Sequence, residues 1–191
     1  MTRISIIGTG SMGQAISTAL TRGGHDVELL GQADAGRPVT GDIVVLAVPY
    51  PALAGIAAAR ADQLAGRIVV DITNPVDFET FDSLTVPADS SATAELAAAL
   101  PGSRVVKAFN TTFAATLASG TVGENTTTVL IAGDDAEAKS ALAEALTASG
   151  LRAVDAGSLS RARELEAMGF LQITLAAAEK ISWTAGFAVV S

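Results

Sequence analysis

The chain has 191 residues, enough to bury one good core and too few for a second substrate domain of ordinary size. A formal charge of -8 without any basic stripe argues against a nucleic-acid partner. With no cysteine and a single histidine, the chain lacks the material for disulfides, iron–sulfur clusters, thiol catalysis or the common zinc patterns, so redox chemistry here needs bound organic cofactors.

The first expected strand, Arg3–Ile7, runs straight into Gly8, Gly10 and Gly13, which have the G-x-G-x-x-G spacing of a dinucleotide-binding loop. A helix over Met12–Arg22 follows, with Ala15, Ile16, Ala19 and Leu20 on one face and Gly23 and Gly24 at its end. The free amides and positive dipole end of such a helix favour a phosphate. His25 reads as a solvent-side turn residue before a second strand, Asp26–Leu30. Further strands are expected at 42–48, 67–72, 104–109, 127–132 and 151–154, and helices at 51–65, 91–100 and 134–149. Asp134 and Asp135, at the start of that last helix, read as capping residues.

Two strand ends carry Pro49 and Pro75, which stop the strands and fix extended turns; together they form a wall along which a nicotinamide ring can lie, with the Asn74 amide beside it. Lys107 interrupts an apolar run and is read as an edge residue or an inward charge, solvation being the commoner outcome. Asn110 and Thr111 have an N-capping reading beside a functional one. The alternation of strand and helix predicts an α/β, Rossmann-like, doubly wound and mostly parallel sheet. One domain spanning residues 1–191 is expected, with residues 159–191 forming a C-terminal helix and tail. Leu165, Met168, Leu171, Ile173 and Leu175, with Trp183 and Phe187, predict a homodimer through this region. Without an apolar leader or a run long enough to span a bilayer, the chain reads as cytoplasmic, with no membrane partner.

The stretches "RISIIGTGSMGQAI", "DIVVLAVPYPAL", "IVVDITNP", "VVKAFNT", "TVLIAGDDAEAK" and "LRAVDAGSLSRARELEAMG" resemble, in order and spacing, the NADPH-dependent coenzyme F420 reductases. The resemblance covers nearly the whole chain, and "KAFNT" and "GSLSRARELE" are its specific parts. It implies NADP(H) as cofactor, F420 as co-substrate, and direct hydride transfer between nicotinamide and deazaflavin. No protein group is then catalytic in its own right and no metal is needed, because positioning supplies most of the advantage. The resemblance maps the phosphate loop onto Thr9, Gly10, Ser11 and Met12, and the nicotinamide wall onto Val48, Pro49, Tyr50, Asn74 and Pro75. The deazaflavin side maps near Phe109, Asn110 and Thr111.

After the second strand the chain departs from that pattern. Family members continue with Gly-Ser-Arg, which grips the ribose 2′-phosphate, then with a further helix and strand. This chain reads "ELLGQADAGRPVTGD": Gly31 matches, Gln32 and Ala33 replace the Ser and Arg, and the helix and strand are missing. Glu28 lies at the distance from Gly8 where an NAD enzyme has its acid, but inside the strand. Gln32 is the expected partner of a 2′-hydroxyl and Arg37 of a 2′-phosphate, which leaves NAD(H) open beside NADP(H). A flavin or small-substrate reductase is a second enzymatic reading, and a non-catalytic Rossmann nucleotide-binding or interaction protein is the rival class. Pyrroline-5-carboxylate reductase is disfavoured because it needs a longer chain, and a membrane ferric reductase module because no membrane span follows.

Overall fold

The computed structural model describes residues 1–190. Five strands, β1 (Arg3–Ile7), β2 (Asp26–Leu30), β3 (Ile43–Leu46), β4 (Ile68–Asp71) and β5 (Arg104–Lys107), run parallel in the order β2-β1-β3-β4-β5. A short hairpin, β6 (Thr121–Val122) and β7 (Asn125–Thr126), lies outside this sheet. The sheet is completed by β8 (Thr128–Gly133) and β9 (Arg152–Gly157), parallel to each other. β8 meets β5 antiparallel through only two residue pairs, Val106 with Gly133 and Lys107 with Ala132. The mostly parallel expectation holds, and the reversal falls where the α4 and hairpin connection replaces an ordinary crossover.

Six helices cover the sheet: α1 (Ser11–Arg22), α2 (Leu53–Leu64), α3 (Ala92–Ala99), α4 (Ala114–Ser119), α5 (Ala136–Ala148) and α6 (Ala162–Ala177). The short α4 and the hairpin have too few residues to show a period and were not expected from the sequence. Alternate side chains along a strand feed opposite cores: Ile43 and Val45 pack on the α1 and α5 side, Val44 and Leu46 on the α2 and α3 side. Strands buried on both faces account for the unbroken apolar runs in the sequence. Because the helix and strand expected of the family after β2 are absent, β2 is the edge of the sheet. A single turn of 3₁₀-helix, Gln32–Asp34, replaces them.

Lys107 is neither an edge residue nor solvated: it is wholly buried. Its ammonium contacts Asp71 Oδ2 at 2.9 Å, Glu166 Oε1 at 2.8 Å and the Thr73 carbonyl at 2.6 Å. Asp71 is its register partner on β4 and also accepts from Thr93 Oγ1 at 2.8 Å. Glu166, reaching down from α6, accepts the Ala92 amide at 3.0 Å, so one carboxylate ties α6 to the start of α3. The cluster thereby joins β4, β5, α3 and α6. Removing the cation would strand two buried carboxylates, which costs about 3–5 kcal/mol. Lys107→Met is therefore expected to lose that much in a urea melt and Glu166→Gln distinctly less; a Lys107→Met loss below about 1 kcal/mol would contradict this role.

Candidate active site

The strand order reverses between β2-β1 and β1-β3, and ligands of open α/β sheets bind outside the strand ends at such a point. Two cavities open there, one on each side of the α1 N-terminus. The first, of about 590 Å³, is lined by Gly8, Thr9, Gly10, Gly31, Gln32, Val48, Pro49, Ile56 and Arg60 among others. The second, of about 510 Å³, is mostly apolar and includes Ser11, Met12, Ile72, Asn74, Phe78, Asn110, Thr112, Phe113, Ile173 and Trp183.

The three loop glycines have different physical reasons. A Cβ on Gly8 would sit 2.0 Å from the Ala47 carbonyl oxygen, and one on Gly13 would sit 2.0 Å from the Gly8 carbonyl oxygen, so both are needed for β1, β3 and α1 to pack. A Cβ on Gly10 would meet nothing within 4 Å. What Gly10 leaves open is the approach to the helix. The first intrahelical bond runs from the Gln14 amide to the Gly10 carbonyl at 3.0 Å, and no side chain caps the earlier amides. Ser11, Met12 and Gly13 thus present unpartnered N–H groups at the positive end of the dipole, a fit for a pyrophosphate.

On the second side, Asn74 and Asn110 bind each other. Asn110 Nδ2 donates to Asn74 Oδ1 at 2.9 Å and to the Leu165 carbonyl at 2.8 Å, while Asn74 Nδ2 donates to the Asn110 carbonyl at 2.8 Å. Helix α6 comes this close because Gly169 faces the pair; a Cβ there would lie 2.3 Å from Asn74 Oδ1. Asn110 is aimed by its neighbour. Phe109 has a φ of 64°, a strained conformation for a bulky residue, and its ring is fully buried. The expected ring-facing role of Phe109 therefore does not match its position: it is a core residue whose turn presents Asn110. Asn110 and Thr111 do not cap the next helix, whose N-cap is Phe113. Thr111 is buried and Thr112 lines the cavity instead.

Other expected residues lie apart. Tyr50 points away from both cavities and donates to Glu95 at 2.7 Å; that hydrogen bond, with burial and the charges of Glu95 and Glu166, pushes its phenol up to about 12. Pro75 is buried, and its carbonyl accepts the Thr85 amide at 2.7 Å. Gln32 lies in the first cavity. Arg37 is bound to Asp34 at 2.9 Å and faces Glu28 at 3.7 Å, and these carboxylates raise its basicity further. The Gly31 amide and Arg37 hold Asp34 below the usual carboxylate range. Burial raises Glu28, but hydrogen bonds from Ser5 and Thr40 and the charge of Arg37 outweigh it and leave it lowered, a structural use of that acid. His25 is half-buried, its Nε2 3.2 Å from the Ala145 carbonyl. Sequence reading missed Arg60, although its spacing shows it: Leu53, Ala57, Arg60 and Leu64 form one buried stripe of α2.

The sequence model of the family described as NADP oxidoreductase coenzyme F420-dependent matches residues 30–75. The F420-dependent NADP reductase of Methanocaldococcus jannaschii is 30% identical over 160 residues, covering 82% of this chain and 71% of that protein. The chain belongs to the F420-dependent NADP reductase family. A solved structure of a candidate F420-dependent NADP-reductase from Arthrobacter sp. FB24 superposes with a TM-score of 0.86 at 26% identity, covering 100% of both chains. Metalloreductase STEAP3 of Rattus norvegicus is 34% identical over 182 residues, which cover 87% of this chain; the chain spans 36% of that protein's length. Among the described residues, no helix of this family member is long and apolar enough to cross a membrane, and no cluster of metal-ligating side chains occurs.

The glycine geometry separates the effects of two substitutions in the loop. Gly10→Asp is expected to keep the melting temperature and to lower NADPH affinity at least tenfold by fluorescence titration, because its carboxylate occupies the anion's approach. Gly13→Val must displace the Gly8 carbonyl, so its loss of binding comes with a lowered melting temperature. Unchanged NADPH binding in Gly10→Asp would contradict the site.

Proposed function

We propose that the chain holds NADP(H) across the two cavities and serves hydride exchange with a deazaflavin of the F420 class. The observation that supports this reading most is the pair of cavities meeting at the uncapped start of α1. One is walled by the glycine loop and the end of β2, the other is apolar and fringed by asparagine amides. Hydride transfer is the chemistry the nicotinamide supplies when bound.

The chain's own part is positional. The amides of Ser11 and Met12 hold the pyrophosphate, and Val48 and Pro49 wall the first cavity. Asn74 and Asn110, locked to each other and to α6, offer a rigid polar edge at one side of the ring cavity. Ile72, Phe113, Ile173 and Trp183 provide apolar walls that displace water and leave room for two stacked rings. A nucleophile or a proton-transferring side chain is not required by this chemistry. Exposed Leu171, Trp183 and Phe187 on and beyond α6 support a homodimer through this face.

Stopped-flow mixing of the protein with NADPH and oxidised F420 tests the reading. The expected result is loss of the oxidised-deazaflavin absorbance with matching NADPH consumption. A dinucleotide fluorescence change without transfer to F420 or a free flavin would overturn it in favour of a non-catalytic nucleotide-binding protein.

A further inference from the structure

Arg60 is 7% exposed, yet among the described residues no carboxylate lies within ion-pair distance of it. Its terminal nitrogens donate instead to neutral oxygens: Nη1 to the Arg37 carbonyl at 2.8 Å and Gln63 Oε1 at 3.2 Å, Nη2 to the Asp34 carbonyl at 3.1 Å and the Ala35 carbonyl at 2.8 Å. Carbonyl dipoles solvate a guanidinium but leave its charge in place. Buried charges are ordinarily paired, and this one borders a cavity.

Three of these bonds, to the carbonyls of Asp34, Ala35 and Arg37, reach the short loop after β2. They hold the turn Gln32–Asp34 and the residues behind it against α2. The cation therefore sits on the inner side of the loop beside Gly31, Gln32 and Ala35, at the adenosine end of the first cavity. Arg37, on the outer side, is exposed and neutralised by Asp34 and Glu28. Of the two arginines, only Arg60 has an unbalanced charge facing the cavity, and its Nε–H makes no hydrogen bond within the described residues.

We infer that Arg60, on α2, is the residue by which this chain favours the adenosine 2′-phosphate, replacing the arginine that is missing after β2. This assignment rests on the dinucleotide reading above and deepens it. Arg60 acts at once as the brace that shapes the loop and as the counter-charge to the 2′-phosphate. Its Nε–H and the Gln32 side chain are the donors within that end of the cavity.

Adenosine 2′,5′-bisphosphate and 5′-AMP differ by the 2′-phosphate alone, so the ratio of their affinities isolates it from loop order. Calorimetric titration of the whole protein is expected to give about tenfold tighter binding of the bisphosphate at low salt, as a charge-assisted contact provides. The ratio should shrink with added salt, fall to near one in Arg60→Met, partly return in Arg60→Lys, and stay well above one in Arg37→Ala. Loosening of the loop without loss of a charge contact would weaken both ligands equally and leave the ratio intact, which would overturn the inference. A ratio lost in Arg37→Ala and kept in Arg60→Met would overturn it too. Should Arg60→Met fail to fold, Arg60→Gln, which keeps donors to the loop without the charge, decides in the same way. If neither nucleotide binds the wild type, the dinucleotide reading itself falls; if both bind equally, that reading stands and the role of Arg60 falls.

Discussion

One buried cation organises the far half of the molecule. Lys107 stands at the carboxyl end of β5, in register with Asp71 on β4, and the Glu166 carboxylate reaches it from α6. An ammonium with no water around it must be satisfied by protein oxygens, so the positions of β4, β5 and α6 are coupled through it. Its third contact, the Thr73 carbonyl, fixes the turn that carries Asn74. Through Glu166 the same helix that bears Gly169 is held where it can approach the Asn74 and Asn110 pair. The polar edge of the ring cavity is thus a consequence of an ion cluster one layer beneath it.

The other half is organised by absence. With no helix and strand after β2, that strand is a sheet edge and a short loop borders the first cavity on that side. Arg60 braces it from behind through the backbone carbonyls of Asp34, Ala35 and Arg37. Both halves place a charged side chain inside the protein, one ion-paired and one solvated only by neutral oxygens. That difference makes the first a structural pin and underlies the recognition role proposed for the second.

Much of this was legible in the sequence. The alternation of apolar runs with helical patterns correctly placed five parallel strands, and the glycine spacing and the two proline-ended strands pointed to the strand ends where the two cavities open. Boundaries shifted by a few residues, as at β3, expected over 42–48 and observed over Ile43–Leu46. Local pattern could not foretell outcomes set by tertiary partners. Lys107 reads as solvated until Glu166, remote in sequence, is brought to it. Phe109 reads as a ring-facing aromatic until its positive φ turns the side chain into the core and leaves Asn110 at the cavity. Arg37 reads as a free cation until Asp34 folds back on it. Trp183 and Phe78 carry no periodic signal, and only the folded chain brings both to the second cavity.

In the proposed function the two cavities form one dinucleotide site. A crystal structure with NADP⁺ measures this directly. The pyrophosphate is expected on the amides of Ser11 and Met12, the adenosine between Gln32 and Arg60, and the nicotinamide in the apolar cavity against Asn74. A dinucleotide lying wholly on one side of α1, or a nicotinamide turned away from Asn74 into solvent, would contradict it.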